Sequence, residues 1–155
     1  MREDVLQQVW EAQNEAYDLM YEYDALPHQY GENTLYQAEA HTVDLIAAHP
    51  GITATDLAEI LRKTVSASSQ IIRKLRTKGW VEQTRDPENN RIYHLTLTPE
   101  GATLYQEHQA FSQDCQQRTF SLLEDFSVEE LQAHLRVQQA LNAAYQEDIR
   151  RSWAQ

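Results

Sequence analysis

A mainly α-helical chain with a small β-hairpin is the fold class this sequence predicts, and three observations within residues 53–98 predict it. Two short apolar stripes at helical spacing, each headed by a threonine, lie close together in TATDLAEILRKTVSASSQIIRKLRTKGW. Gly79 then stands where a helix stops. Beyond it, Tyr93, Leu95 and Leu97 alternate with His94 and Thr96, the period of a half-buried strand. Together they predict two helices across a tight turn followed by a two-stranded hairpin, which is a winged helix-turn-helix.

In chain order, a first helix is expected over Glu3–Asp24. Val5, Val9, Ala12, Ala16, Leu19 and Tyr23 step by four and three, and Trp10, Tyr17 and Met20 widen the stripe. Leu26 to Thr34, with Pro27 and Gly31, reads as a loop. A second helix follows from Leu35 to His49, with Ala38, Thr42, Leu45 and Ile46 inward, and Pro50-Gly51 stops it. The third runs from Thr53 to Leu61. Thr53 with Asp56 forms an acidic capping box, and Leu57, Ile60 and Leu61 share a face.

The fourth helix starts near Thr64 as N-cap and carries Ala67, Ile71, Ile72 and Leu75 on its apolar stripe. Ser66, Ser68, Ser69, Gln70, Arg73 and Lys74 are expected to face outward. Short hydroxyls, an amide and two cations suit a surface that enters a groove, hydrogen-bonds base edges and contacts phosphates. Strands at Val81–Arg85 and Arg91–Thr98 flank the turn Asp86-Pro87-Glu88-Asn89-Asn90, with Arg85 and Arg91 bracketing its tip.

Thr98-Pro99 restarts a helix, threonine as cap and proline in its first turn, ending near Phe120 or Leu123. Ser127-Val128-Glu129-Glu130 is a capping box for the last helix. There Leu131, Leu135, Gln138, Leu141, Tyr145, Ile149 and Trp153 recur every three or four residues. So long an apolar edge exceeds what one small domain buries, and the expectation is a seam with the first helix of a second copy, an isologous two-fold dimer.

The chain of 155 residues is expected to form a single domain, 1–155, with its winged core at 35–101 and dimerisation helices at 1–25 and 99–155. Its net charge is −11, which taken whole argues against a nucleic-acid partner. The distribution argues otherwise. Residues 53–98 hold eight cations against five acids, a local excess of three, so the remainder carries −14. A basic head on an acidic body suits docking in one orientation with modest non-specific affinity. There is no run of 18 apolar residues, and MREDVLQQVW lacks the apolar core of a signal peptide, so a cytoplasmic location and no membrane are expected. The lone Cys115 excludes an internal disulfide framework and reads as packing. No Ser/His/Asp arrangement, glycine-rich phosphate loop or CxxC is present, so the chain is not expected to be an enzyme.

The ordered run DLAEILRKTVSASSQIIRKLRTKGWVEQTRDPENNRIYHLTLTPEG resembles the core of the MarR family of bacterial transcriptional regulators, closely over Leu35–Gly101. The family's wing tip usually has an acidic residue two before its arginine, and a second arginine between them. Here those positions are Asn89 and Asn90, while Arg91 is kept. Gln70 stands where a basic residue is common.

The resemblance implies a homodimeric repressor of a pseudo-palindromic double-stranded DNA operator. Its DNA-binding set would be Thr64, Ser66, Ser68, Ser69, Gln70, Arg73, Lys74, Arg85, Asn90 and Arg91. It also implies a small-molecule effector between the dimer helices and the reading head, with Trp10, Tyr17, Tyr21, Tyr36 and His41 as candidate lining. No cofactor is required. Zinc-responsive members place ligands at positions matching His41, Glu107 and His108, but their further histidine is Ser112 here, so a zinc-responsive regulator is an alternative on a partial ligand set. A winged-helix module that binds protein rather than DNA is a third reading.

Overall fold

The structure, a computed structural model, describes residues 1–153, and the side chain of Trp153 lies outside what it describes. The elements run α1 (Arg2–Ala25), β1 (Pro27–Tyr30), β2 (Asn33–Tyr36), α2 (Gln37–Ala48), α3 (Ala54–Ile60), α4 (Val65–Thr77), β3 (Val81–Arg85), β4 (Tyr93–Leu97), α5 (Pro99–Leu122) and α6 (Val128–Trp153). The fold is mainly α with an antiparallel hairpin wing, as the periodicities predict. The chain divides into two compact units, residues 1–112 and residue 113 onward.

The first unit holds the core. Leu35, Ala40, Val43, Ile46, Ile52, Leu57, Ile72, Leu75, Trp80, Val81, Leu95 and Leu104 pack together, drawn from β2, α2, α3, α4, the wing and α5. Burying these side chains is what fixes the two helices of the turn against the hairpin. Of the expected inward set, Ile60 is instead half exposed at 50% and Leu45 only partly buried.

Helix ends follow the sequence closely. Thr53 Oγ1 accepts from Asp56 N at 3.2 Å, while Asp56 Oδ2 accepts from Thr53 N at 3.0 Å. Thr64 Oγ1 caps α4 by accepting from Ala67 N at 3.1 Å. Both helices close with the same pair of bonds. At α3, Lys63 N donates to Ala58 O and Arg62 N to Glu59 O; at α4, Trp80 N donates to Leu75 O and Gly79 N to Arg76 O. This paired closure needs a left-handed residue. Gly79 supplies it at φ 77°, but at α3 the residue is Arg62, at φ 51°. A side chain there costs roughly 1–2 kcal/mol relative to a right-handed backbone.

The expected loop at 26–34 is a hairpin instead. β1 pairs with β2 in the register Pro27↔Tyr36 to Tyr30↔Asn33, turning through Gly31-Glu32 with Gly31 at φ 56°. Tyr30 and Leu35 are both about 1% exposed and point into the core. Tyr30 packs edge-on to His108 and Phe111, each ring at 5.0 Å. Four-residue strands with a proline at the start are too short to display a period of two, so tertiary burial decides this hairpin.

In the second unit, Ser127 N donates to Glu130 Oε2 at 2.8 Å and Glu130 N to Ser127 Oγ at 3.2 Å, the expected capping box of α6. Leu123, Phe126, Glu130, Leu131 and His134 line an apolar cleft of about 420 Å³ there. Cys115 is a half-buried free thiol with Arg118 Nη2 at 3.2 Å from its sulfur.

Candidate nucleic-acid interface

α4 presents two faces. Ile72 and Leu75 lock into the core, while Ser66, Gln70, Arg73, Lys74, Arg76 and Lys78 are exposed. Thr64 opens this face with its hydroxyl already engaged as the cap. Ser69 is half buried and lines a cleft of about 500 Å³ with Thr53, Thr55, Asp56, Gln83, Arg91 and Tyr93. Arg73 and Arg76 line an adjoining cleft with Ser69 and Gln83. The fourth helix and the wing therefore share one polar, cation-bearing groove, which Arg91 reaches from the hairpin side.

Ser68 is the exception. It is 2% exposed and its hydroxyl finds no partner, so it belongs to the packed side of α4 and not to the outward set. At 100° per residue, Ser68 sits beside Ile72 and Leu75 on the helix, and small size lets it fit there. A serine run cannot reveal by composition which of its members turns inward.

Lys74 is exposed but not free. Its ammonium lies 2.7 Å from Glu39 Oε1 and 5.4 Å over the ring of Tyr36. Glu39 is 4% exposed and also accepts from Tyr36 N at 2.9 Å, closing the first turn of α2. Burial pushes the Glu39 carboxyl up, but the Lys74 ammonium and the Tyr36 N–H outweigh it and hold it below the usual carboxylate range. Lys74 thus ties the fourth helix to the second.

The wing pairs β3 with β4 from Val81↔Leu97 to Arg85↔Tyr93. Arg85 Nη2 donates to Tyr93 Oη at 3.0 Å and lies over that ring, so it is held near the strand ends. Asn90 and Arg91 are exposed at the tip. Asp86 organises the turn: its Oδ1 accepts from Glu88 N at 2.9 Å and Asn89 N at 2.8 Å. Asn89 Oδ1 accepts from Arg91 N at 3.1 Å, so Asn89 serves the turn itself.

Sequence reasoning missed His94. It is half buried on β4, with Nδ1 2.7 Å from Gly51 O and Nε2 2.8 Å from Asp86 Oδ2. The bond to Asp86 raises its pKa, and the Gly51 carbonyl adds to this. The carboxyl of Asp86 is correspondingly lowered, first by His94 and then by the two turn N–H groups. Its signal in the sequence was faint: Gly51 is 43 residues away, and only Asp86 lies within the same hairpin.

The root of the wing is fastened to α5 through Thr98. Its hydroxyl donates to Gly79 O at 2.6 Å and accepts from Gly101 N at 3.0 Å, while Thr98 N donates to Trp80 O at 3.1 Å. Gly101 is buried with no room for a side chain, since a Cβ would stand 1.9 Å from Trp80 O. The Thr-Pro-Glu-Gly run is thus a junction between the end of α4 and the start of α5.

The candidate effector and metal residues are not gathered into one cavity. Trp10, Tyr17, Tyr21 and Tyr36 are 46–70% exposed, and Tyr17 stacks on Tyr21 at 6.4 Å. His41 lines a shallow cleft of about 320 Å³ with Asp44, Leu45, Ile60 and Leu61. The His41 and His108 rings lie 6.2 Å apart. However, His108 Nδ1 is bonded to Asp44 Oδ1 at 2.8 Å, and the Glu107 carboxylate lies against Gly31. Among the described residues no group of three or more His, Cys, Asp or Glu is arranged to hold a metal ion. Among them, too, no helix is long and apolar enough to cross a membrane.

Comparison with known proteins agrees with this geometry. A model of the MarR family matches residues 35–93. The chain is 28% identical over 126 residues to an uncharacterized HTH-type transcriptional regulator, YhjH, of Bacillus subtilis, covering 81% of this chain and 71% of that one. Other curated regulators that it matches are covered over less than half their length. Two solved structures share the fold. The zinc-responsive MarR family member ZitR of Lactococcus lactis superposes with a TM-score of 0.75 at 20% identity, over 90% of this chain and 99% of that one. Streptococcus pneumoniae FabT in complex with DNA gives 0.70 at 21% identity, over 93% and 99%. With the helix-turn-helix and wing in place, the chain has a winged helix-turn-helix fold, and from residue 35 to the start of β4 at residue 93 it is similar to the MarR family.

Proposed function

We propose that this DNA-binding regulator is a homodimer that reads a pseudo-palindromic operator, acts as a repressor in the cytoplasm, and loses DNA affinity when a small ligand binds. The observation that carries the reading is the polar surface between α4 and the wing: Ser69 and Gln83 line two clefts, one reached by Arg91 and the other by Arg73 and Arg76, while Ser66 and Gln70 stand exposed on the same core-anchored helix. A helix so placed offers donors to base edges, and the cations fix its register on the phosphates. The contact set this supports is Thr64, Ser66, Ser69, Gln70, Arg73, Arg85, Asn90 and Arg91; Ser68 is withdrawn because it is buried, and Lys74 because its ammonium is held by Glu39. The similarity to FabT, solved with DNA, supports the same reading.

The dimer is supported by α1, in which none of 24 residues is buried although Val5, Leu6, Trp10, Leu19 and Met20 are apolar. In the reading proposed here, the whole chain works as one domain built around residues 35–101, with 1–25 and 99–155 given over to dimerisation. Two heads related by a two-fold axis would read half-sites about one helical turn apart. Selection of bound fragments from random duplex DNA tests all of this at once. An inverted repeat bound with steeply salt-dependent affinity is expected. No enrichment at low salt would favour a protein-interaction module instead. Zinc responsiveness has weaker support, the His41–His108 pair alone.

A further inference from the structure

β4 is held at two levels. Nearer its middle, Leu95 N donates to Ile52 O at 2.9 Å and Gly51 N to Leu95 O at 2.8 Å, which fixes the strand beside the loop before α3. That pairing does not reach the turn. His94 does, touching Gly51 O with one ring nitrogen and the turn-capping Asp86 with the other. A carbonyl oxygen accepts, and an ionised carboxylate accepts as well, so both ring nitrogens must donate. A neutral imidazole has one N–H, and the imidazolium has two. Losing the proton therefore breaks one of the two contacts.

We infer that His94 is the positioning residue of the wing, a two-donor clamp that ties the hairpin turn to the loop before α3 and so keeps Arg91 at the groove beside α4. The inference rests on the DNA-binding reading for its consequence, though not for its geometry. The surroundings favour the charged ring. Asp86 stands at the turn, Asp56 lies at the start of α3, and the residue opposite His94 on β3 is the uncharged Thr84. Arg85, next along β3, is directed to Tyr93. The sign follows. A raised His94 pKa means the clamp is complete below the ordinary imidazole range and is lost as pH rises through the raised value. Asp86, lowered, holds its charge until pH falls below its ordinary carboxylate value. The clamp is thus closed between the lowered Asp86 value and the raised His94 value, and opens as pH climbs through the latter.

The test has a DNA-free arm and a DNA arm, both on the full chain. In the first, NMR follows the His94 ring and the exchange of wing amides from Asp86 to Ile92 against pH, corrected for base catalysis. Exchange is expected to rise by roughly tenfold for each unit by which the His94 midpoint is displaced. In His94→Gln, confirmed folded by its thermal transition, the pH dependence is expected to vanish, and in Asp86→Asn the His94 midpoint should drop back. Wing exchange that is alike in wild type and His94→Gln at every pH overturns the proposal. In the second arm, fragments selected from random duplex DNA are bound on either side of the midpoint at fixed ionic strength. A several-fold fall in wild-type affinity, absent in His94→Gln, supports the positioning role. A responsive wing with affinity that ignores pH overturns that role. A responsive wing with no duplex bound leaves the clamp standing and removes the DNA-binding reading.

Discussion

Three residues show how much a single side chain decides here. The Ser68 hydroxyl is buried without a partner, and such a group carries its full desolvation penalty. Ser68→Ala is therefore expected to raise unfolding free energy by about 1 kcal/mol, read from urea denaturation, with duplex affinity unchanged. Gly101 is the reverse case. A methyl group there meets the Trp80 carbonyl, which is backbone and cannot swing aside. Gly101→Ala should lower stability by about 1–3 kcal/mol in the same experiment. Lys74 is the third. Removing its charge leaves the buried Glu39 carboxylate with one backbone donor, so Lys74→Met is expected to cost about 1–2 kcal/mol. The penalty should fade in acid, because a lowered Glu39 pKa confers stability above the ordinary carboxylate value that disappears as pH falls through the folded one.

Among the elements, α4 and the wing carry the argument. Their helical and alternating periods were legible in the sequence, and so were the caps Thr53, Thr64 and Ser127, because each depends on neighbours within four residues. The β1–β2 hairpin was not legible, since its strands are held by burial of Tyr30 and Leu35 rather than by any pattern of their own. Nor was the division of the serine run into outward Ser66, half-buried Ser69 and inward Ser68. If α4 and the wing touch phosphates, Arg73→Ala and Arg91→Ala should each weaken binding across sequences and reduce the slope of log affinity against log salt by about one. Fluorescence anisotropy with selected fragments measures it; two unchanged slopes would remove both cations from the interface.

For the whole molecule, the open question is what covers the apolar side chains that one chain leaves in water. Helices in water owe most of their stability to packing of an apolar face, and α1 has no buried residue at all. Sedimentation equilibrium at micromolar concentration is expected to give twice the 18.0 kDa chain mass. Leu19→Glu, at a position 59% exposed in the single chain, should shift that equilibrium toward monomer without unfolding it. Loss of the inverted-repeat preference in the same variant would connect the dimer to the reading.

By itself, the sequence determined what rests on nearby residues: the helical periods, the capping residues, the glycine that ends α4, the alternation of the wing and the basic head on an acidic body. Tertiary structure alone decided which serine is buried, that Lys74 belongs to Glu39, that Tyr30 and Leu35 make a hairpin, and that His94 joins Gly51 to Asp86. The reason is distance along the chain. Periods and caps are set by residues within a turn or two, whereas burial and ion pairing depend on partners that only folding brings together.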